Sequence, residues 1–307
     1  MLIFWNSLLL IVSILALWFG AVWVVEAAVR IAGRLGISEL VIGLTVVAFG
    51  TSAPEFAVTI TAALKGQTSI SVGNVVGSNI FNLGFILGGV ALVKVVTTSR
   101  RLVMRDGLLL LFSSAILLIF LYDLHISRTE GVILFAMLIG YIIFLFVKKE
   151  ALEEKIEIGE FHWFEIPRLI IGLASIVAGG HFLVESASTI ARYFGVTEWV
   201  IGVTIIAAGT SAPEFATSLV AVVRGKHGIS AGNLIGSNLF NLLGVLGMAA
   251  ILLPMQIDSN AYTDIILLTA AAAVAVFFMR TGWKISRLEA GALIVLNLTL
   301  WLSIFMH

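Results

Sequence analysis

Apolar runs of about twenty residues or more follow one another along almost the whole chain. They fall at roughly 4–33, 38–64, 69–93, 102–122, 127–147, 165–192, 197–223, 228–253, 260–280 and 285–306. Each is long enough, as a helix, to cross a bilayer hydrocarbon core of about 30 Å. The pattern predicts an all-α integral membrane protein of ten transmembrane helices. The loops between the runs are too short to hold a domain. The longest, Lys148 to Trp163, is highly charged and lies near the middle of the chain. It divides residues 1–147 from 165–307, with 148–164 as a short linker between two five-helix halves. The first run has no basic segment before it and continues into a long helix, so it is expected to be a retained span rather than a cleaved signal.

The two halves are copies. An offset of 159 maps Val41–Leu83 onto Val200–Leu242 without a gap, and 25 of 43 positions are identical, where average residue usage would give about three. Because each copy holds an odd number of spans, the two must lie upside down relative to one another. Inverted repeats of this kind place a binding site near the midplane in many secondary transporters.

Composition narrows the setting. The chain is 60% hydrophobic and 12% charged, with a mean hydropathy of +1.11, whereas a soluble domain is about half apolar and about a quarter charged. Lipid is therefore the expected solvent. A formal net charge of zero argues against a nucleic-acid partner, and the absence of cysteine excludes disulfides, thiolate metal sites and a cysteine nucleophile. No obligate protein partner is evident. The basic residues sort by side: Lys65, Arg128 and Arg192 share the N-terminal side, while the other 15 of 18 fall on the opposite one. The positive-inside rule then puts both termini outside and the central linker in the cytoplasm, as expected for the plasma (inner) membrane.

Against this apolar background stand polar stripes at helical spacing. The second span carries Thr45, Ala48, Thr51, Ser52, Glu55 and Thr59, and the third Ser71, Asn74, Ser78 and Asn82. The second copy repeats them as Thr204, Ala207, Thr210, Ser211, Glu214 and Ser218, then Ser230, Asn233, Ser237 and Asn241. A lone intramembrane serine or threonine is usually a packing or back-bonded residue, and the paired glycines of GNVVGSN and GNLIGSN also suit close helix contact. The glutamates are different. A charge at mid-helix costs about 2.5–3.5 kcal/mol on insertion scales, and neither span holds a basic residue to offset it. Inverted symmetry brings Glu55 and Glu214 together, where they repel unless a cation or a proton lies between them.

Pro54 and Pro213 sharpen the point. Each removes an N–H and leaves the carbonyl of Gly50 or Gly209 without its helical partner. Such a break in lipid is expected only where it lines a cavity or holds an ion. The donors are hard oxygens and amides, which suit Ca2+, with six to eight oxygen ligands, and also Na+. Mg2+ fits less well, and zinc or copper would favour nitrogen or sulfur. Glu26 and Glu185 also match at the offset of 159 and are expected to be structural or vestibule residues.

The twice-occurring GTSAPE, each followed by GN-x-x-GSN-x-FN, resembles the paired alpha repeats of the cation/calcium exchanger superfamily, in its sodium/calcium exchanger branch. The resemblance implies that Glu55 and Glu214 ligate Ca2+ and share it with Na+, that the Thr51 and Thr210 carbonyls join them, and that Na+ sites map onto Ala48, Thr51, Ser52 and Ser78 and onto Ala207, Thr210, Ser211 and Ser237. Asn82 and Asn241 match the remaining polar positions. Asparagine at both, where potassium-dependent relatives carry aspartate, implies no K+ requirement. The short linker leaves no room for a cytoplasmic regulatory region. The expected function is a Na+/Ca2+ antiporter working by alternating access, with the long first and sixth spans as the moving part. The ions are cargo and no cofactor is expected. A H+/Ca2+ antiporter is the alternative, and a Ca2+ channel or ion sensor is further from the pattern. No nucleophile with an aligned base suggests an enzyme.

Overall fold

The computed structural model describes residues 2–148, 161–197, 201, 205, 207–257 and 259–306. Most of the linker 148–164, and Thr204 of the second polar stripe, lie outside the described residues.

The described residues are mainly helical. The helices are α1 (Leu2–Leu35), α2 (Glu39–Thr51), α3 (Ala53–Leu64), α4 (Thr68–Val93), α5 (Leu102–Asp123), α6 (Arg128–Val147), α7 (Glu165–Tyr193), α8 (Ala207–Gly209), α9 (Ala212–Val223), α10 (His227–Leu252), α11 (Ser259–Arg280) and α12 (Arg287–Met306). Among the described residues seven helices are long and apolar enough to cross a membrane, and α2 with α3, bent by 50°, makes up to an eighth if the pair is one span. Helices α9 and α12 cover the predicted seventh span's second half and the tenth span.

The repeat is visible in detail. Ser127 and Glu130 form a capping box at the start of α6, and Ser286 and Glu289 form the same pair of bonds at the start of α12. Two short antiparallel strand pairs tie the copies together: Val96–Thr97 with Lys284–Ile285, and His125–Ile126 with Met255–Gln256. An offset of 159 exchanges one pair for the other, as a pseudo-two-fold axis requires.

The long helices α1 and α7 cross close to that axis. Gly20 faces the Gly172 carbonyl, and Gly179 faces the Ser13 carbonyl, so a Cβ at either would lie about 3 Å from backbone oxygen. Ser175 donates to the Ala16 carbonyl at 3.0 Å. Large apolar side chains such as Trp5, Ile11, Phe112 and Val147 cover the outer surface, while serine, threonine, asparagine and glutamate are enclosed within. This distribution suits lipid outside and a polar centre. The most enclosed spans are α4 and α10. Each contains a π-helical turn, Asn82–Ile86 and Phe240–Val245, and α2 and α5 contain others at Gly43–Val47 and Leu102–Gly107.

Candidate functional site

The bend between α2 and α3 falls at Ser52, whose φ of −82° and ψ of 11° leave the helix. Pro54 occupies the first turn of α3, where a missing N–H costs nothing. The second copy repeats this. Ser211 has φ −89° and ψ 7°, with Pro213 in the first turn of α9. The break thus lies two residues before the proline, and it aims the first turn of α3 and of α9 at the centre of the protein.

Both glutamates in those turns are fully buried. Ser52 Oγ donates to Glu214 Oε1 at 2.8 Å, and Ser211 Oγ donates to Glu55 Oε1 at 3.0 Å. Each carboxyl is therefore held by the other repeat. Ser237 Oγ reaches Glu214 Oε1 at 3.4 Å, and Ser78 is its buried counterpart at the offset of 159. The second oxygen of each carboxyl, Oε2, is buried without a hydrogen-bond donor. Among the described residues no ion pair reaches either glutamate.

The neighbours form a matched frame. Asn74 Nδ2 donates to the Thr59 hydroxyl at 2.9 Å and to the Glu55 carbonyl at 3.2 Å. Asn233 Nδ2 does the same to Ser218 at 3.0 Å and to the Glu214 carbonyl at 3.4 Å. Thr51 Oγ1 donates to Asn233 Oδ1 at 3.0 Å and lies 3.3 Å from the Ala48 carbonyl. Thr45 instead back-bonds to the Val41 carbonyl at 2.7 Å, the packing role usual for an isolated threonine.

The sequence-derived set therefore gathers unevenly. Glu55, Glu214, Ser52, Ser211, Ser78, Ser237 and Thr51 meet at the centre, with the Ala48 carbonyl beside them. Thr210 stands half-buried at the turn before Ser211, and Ala207 opens the short helix α8, its side chain outside the described residues. Asn82 and Asn241 sit on the π-helical turns and bond neither glutamate. The Asn82 amide is buried without a partner, whereas Asn241 Nδ2 donates to Asn79 Oδ1 at 3.1 Å.

Asn79 and Asn238 are buried polar residues absent from the predicted stripes. Asn79 Nδ2 donates to the Asn238 carbonyl at 3.2 Å, across positions related by the repeat. Both lie in the repeated GSN tripeptide, one position after the serine, so the repeat itself carried the signal.

The chemistry of this centre is a cage of hard oxygen. Among the described residues it has two carboxyls and several hydroxyls, and no hydrogen bond or ion pair joins the carboxyls to a basic side chain. Such a donor set fits Ca2+ and Na+. The donors come from both repeats, so the cage exists only where the two halves meet.

Comparison with known proteins identifies the family. Residues 5–147 and 165–305 match the family described as sodium/calcium exchanger protein. The chain is 31% identical over 344 residues to the sodium/calcium exchanger MaX1 of Methanosarcina acetivorans, covering 98% of each chain. It is 34% identical over 319 residues to the inner membrane protein YrbG of Escherichia coli (strain K12), covering 96% of this chain and 97% of that protein. A solved structure of the sodium-calcium exchanger NCX_Mj superposes with a TM-score of 0.84 at 28% identity, covering 96% of this chain and 97% of that one. The chain belongs to the sodium/calcium exchanger protein family.

Proposed function

We propose that this protein exchanges Ca2+ for Na+ by alternating access, with Glu55 and Glu214 as the shared ligands of a mid-membrane site. The observation that carries the reading is the reciprocal pair of bonds, Ser52 to Glu214 and Ser211 to Glu55, around two buried carboxyls that each keep one oxygen undonated. Ca2+ would take carboxyl oxygens from both repeats, with the Thr51 and Thr210 carbonyls completing the shell. Na+ would use the same glutamates together with Ala48, Ser52 and Ser78 on one side and Ala207, Ser211 and Ser237 on the other. Asn82 and Asn241, at the edge of the cage, carry no charge, so K+ is not required.

Charge makes exchange obligatory. A site with two ionised carboxyls and no counter-charge is costly to carry past the membrane interior. One Ca2+ neutralises it, as do two Na+. A third Na+ on the hydroxyl oxygens leaves one net positive charge, which makes the cycle electrogenic and couples it to voltage by about 2.3 kcal/mol per 100 mV.

Purified protein in sealed vesicles tests this. An outward Na+ gradient, with no pH gradient, is expected to drive Ca2+ uptake and to move charge. Two protons could replace two Na+ on the carboxyls, and a H+/Ca2+ antiporter would then accumulate Ca2+ only under a pH gradient. That result would overturn the Na+ reading and keep the site. Conduction of Ca2+ with no counter-ion would overturn exchange altogether.

A further inference from the structure

Glu26 and Glu185 are the same position of the two repeats, 159 residues apart, yet their surroundings are opposite. The Glu26 carboxyl is ion-paired with Arg168 and with Arg224. Arg168 also lies 3.6 Å from Glu165, which pairs with Arg30. The Glu185 side chain is 60% exposed, against 29% for Glu26, and lies 4.0 Å from His181 one turn earlier on its own helix.

The positions are matched in space as well. Helices α1 and α7 cross at Ala16 and Ser175. Each glutamate lies ten residues beyond its crossing point, about 15 Å along the helix axis, toward opposite faces of the membrane. Packing follows the same asymmetry. Helix α1 lies along α9, where Val220 and Ala221 are buried. Helix α7 has no comparable packing along α3, where Thr61, the counterpart of Val220, is exposed. A surface cavity of about 370 Å³ lies on this uncovered side of α3, lined by Ala57, Val58, Thr61, Ala62, Gln67 and Ile70. The helix of Glu26 is packed down on its neighbour, and that of Glu185 is not.

The offset also supplies a partner for Glu185. Arg224, ten residues after Glu214, corresponds to Lys65, ten residues after Glu55. Lys65 is exposed and joins no ion pair among the described residues.

We propose that these four residues are two latches that alternate. Glu26 with Arg224 holds α1 down on α9 and keeps the arginine-rich face shut. Glu185 pairs with Lys65 only when α7 closes onto α3, and the first latch opens as the second forms. The proposal rests on the alternating-access reading above. The latches are unequal, because Arg168, Arg30 and Glu165 correspond to Leu9, Thr189 and Asn6. The shut arginine-rich face therefore has ion pairs that the opposite closure lacks, and the equilibrium favours the state seen here.

The protein has no cysteine, so single cysteines report access without background. Ala57→Cys on the open side and Ala216→Cys at the matching position of α9 are labelled with a water-soluble maleimide in detergent. Glu26→Gln is expected to speed labelling at Ala216→Cys about threefold, and to slow it at Ala57→Cys, as expected for losing a partly exposed ion pair. Arg224→Gln carries the same test if Glu26→Gln folds poorly. In vesicles, Glu185→Lys and Lys65→Glu are each expected to slow Ca2+ flux, and the double exchange to restore it. Unchanged labelling at both cysteines overturns the first latch, and absence of rescue overturns the second. Ca2+ binding, measured by calorimetry, is expected to stay unchanged in these variants. Loss of exchange in the unmodified protein would instead remove the transport reading, and the labelling result would still stand on its own.

Discussion

Ser52 Oγ lies 2.8 Å from Glu214 Oε1, so a hydroxyl at the break in the first repeat holds the carboxyl of the second. Ser211 returns the bond to Glu55 at 3.0 Å. A hydrogen bond to a charged group contributes about 1.5–3 kcal/mol. Ser52→Ala and Ser211→Ala are each expected to weaken Ca2+ binding by about tenfold to a hundredfold, and to do so about equally. Calorimetry with Ca2+ on the two purified variants checks this. A loss confined to one serine would contradict the two-fold design of the cage.

Glu55→Gln and Glu214→Gln probe charge while keeping shape. The amide oxygen still accepts from Ser211 or Ser52, so folding is expected to survive. Each variant halves the site's formal charge, and Ca2+ flux is expected to fall more than about a hundredfold, in line with loss of a charged ligand in a low-dielectric site. Flux near the unmodified level in either variant would sink the assignment of these residues as ligands.

The repeat made most of this buried polar centre legible in the sequence. Glu55 and Glu214 stood out because a charge amid apolar residues recurred in one motif, and the structure places them together. Other features followed from physics that a linear pattern does not encode. The prolines predict a break that strands the carbonyls of Gly50 and Gly209, and the residues that leave the helix are Ser52 and Ser211, because proline fits the first turn of the helix that follows. Asn79 and Asn238 escaped the stripes because each lies one residue, about 100° of helix rotation, past the stripe serine, where Asn79 meets the Asn238 carbonyl of the other repeat. Glu26 read as structural or vestibular from its position. Its partners Arg168 and Arg224 lie far along the chain, and no periodicity reveals a pairing of that range.

Close helix contact was also legible, in the glycines of GNLIGSN, and it yields a test of geometry. A Cβ at Gly236 would lie 2.6 Å from the Leu44 carbonyl and 2.7 Å from the Leu44 Cα. Backbone cannot yield cheaply, so Gly236→Ala must push α10 away from α2. That also shifts Ser237, the next residue, away from Glu214 and Thr51. The variant is expected to lose about 1–3 kcal/mol of stability and to bind Ca2+ more weakly. Gly140→Ala, where nothing among the described residues lies within 4 Å of an added Cβ, is the control and is expected to keep both stability and binding. Thermal unfolding in detergent with Ca2+ titration separates the two.

Asn79 distinguishes a structural from an ion-binding asparagine. Its amide nitrogen serves the Asn238 carbonyl and its oxygen accepts from Asn241 Nδ2, all within fully buried surroundings. Asn79→Ala leaves Asn241 Nδ2 and the Asn238 carbonyl without these partners, and each buried orphan costs about 1–3 kcal/mol. The unfolding temperature is expected to drop more than in Ser52→Ala. Ca2+ affinity of the folded protein is expected to fall less than in Ser52→Ala, because Asn79 bonds neither glutamate. Measuring both quantities on both variants gives a ranking. The reverse ranking, with binding lost and stability kept, would move Asn79 from the seam between the repeats into the cage itself.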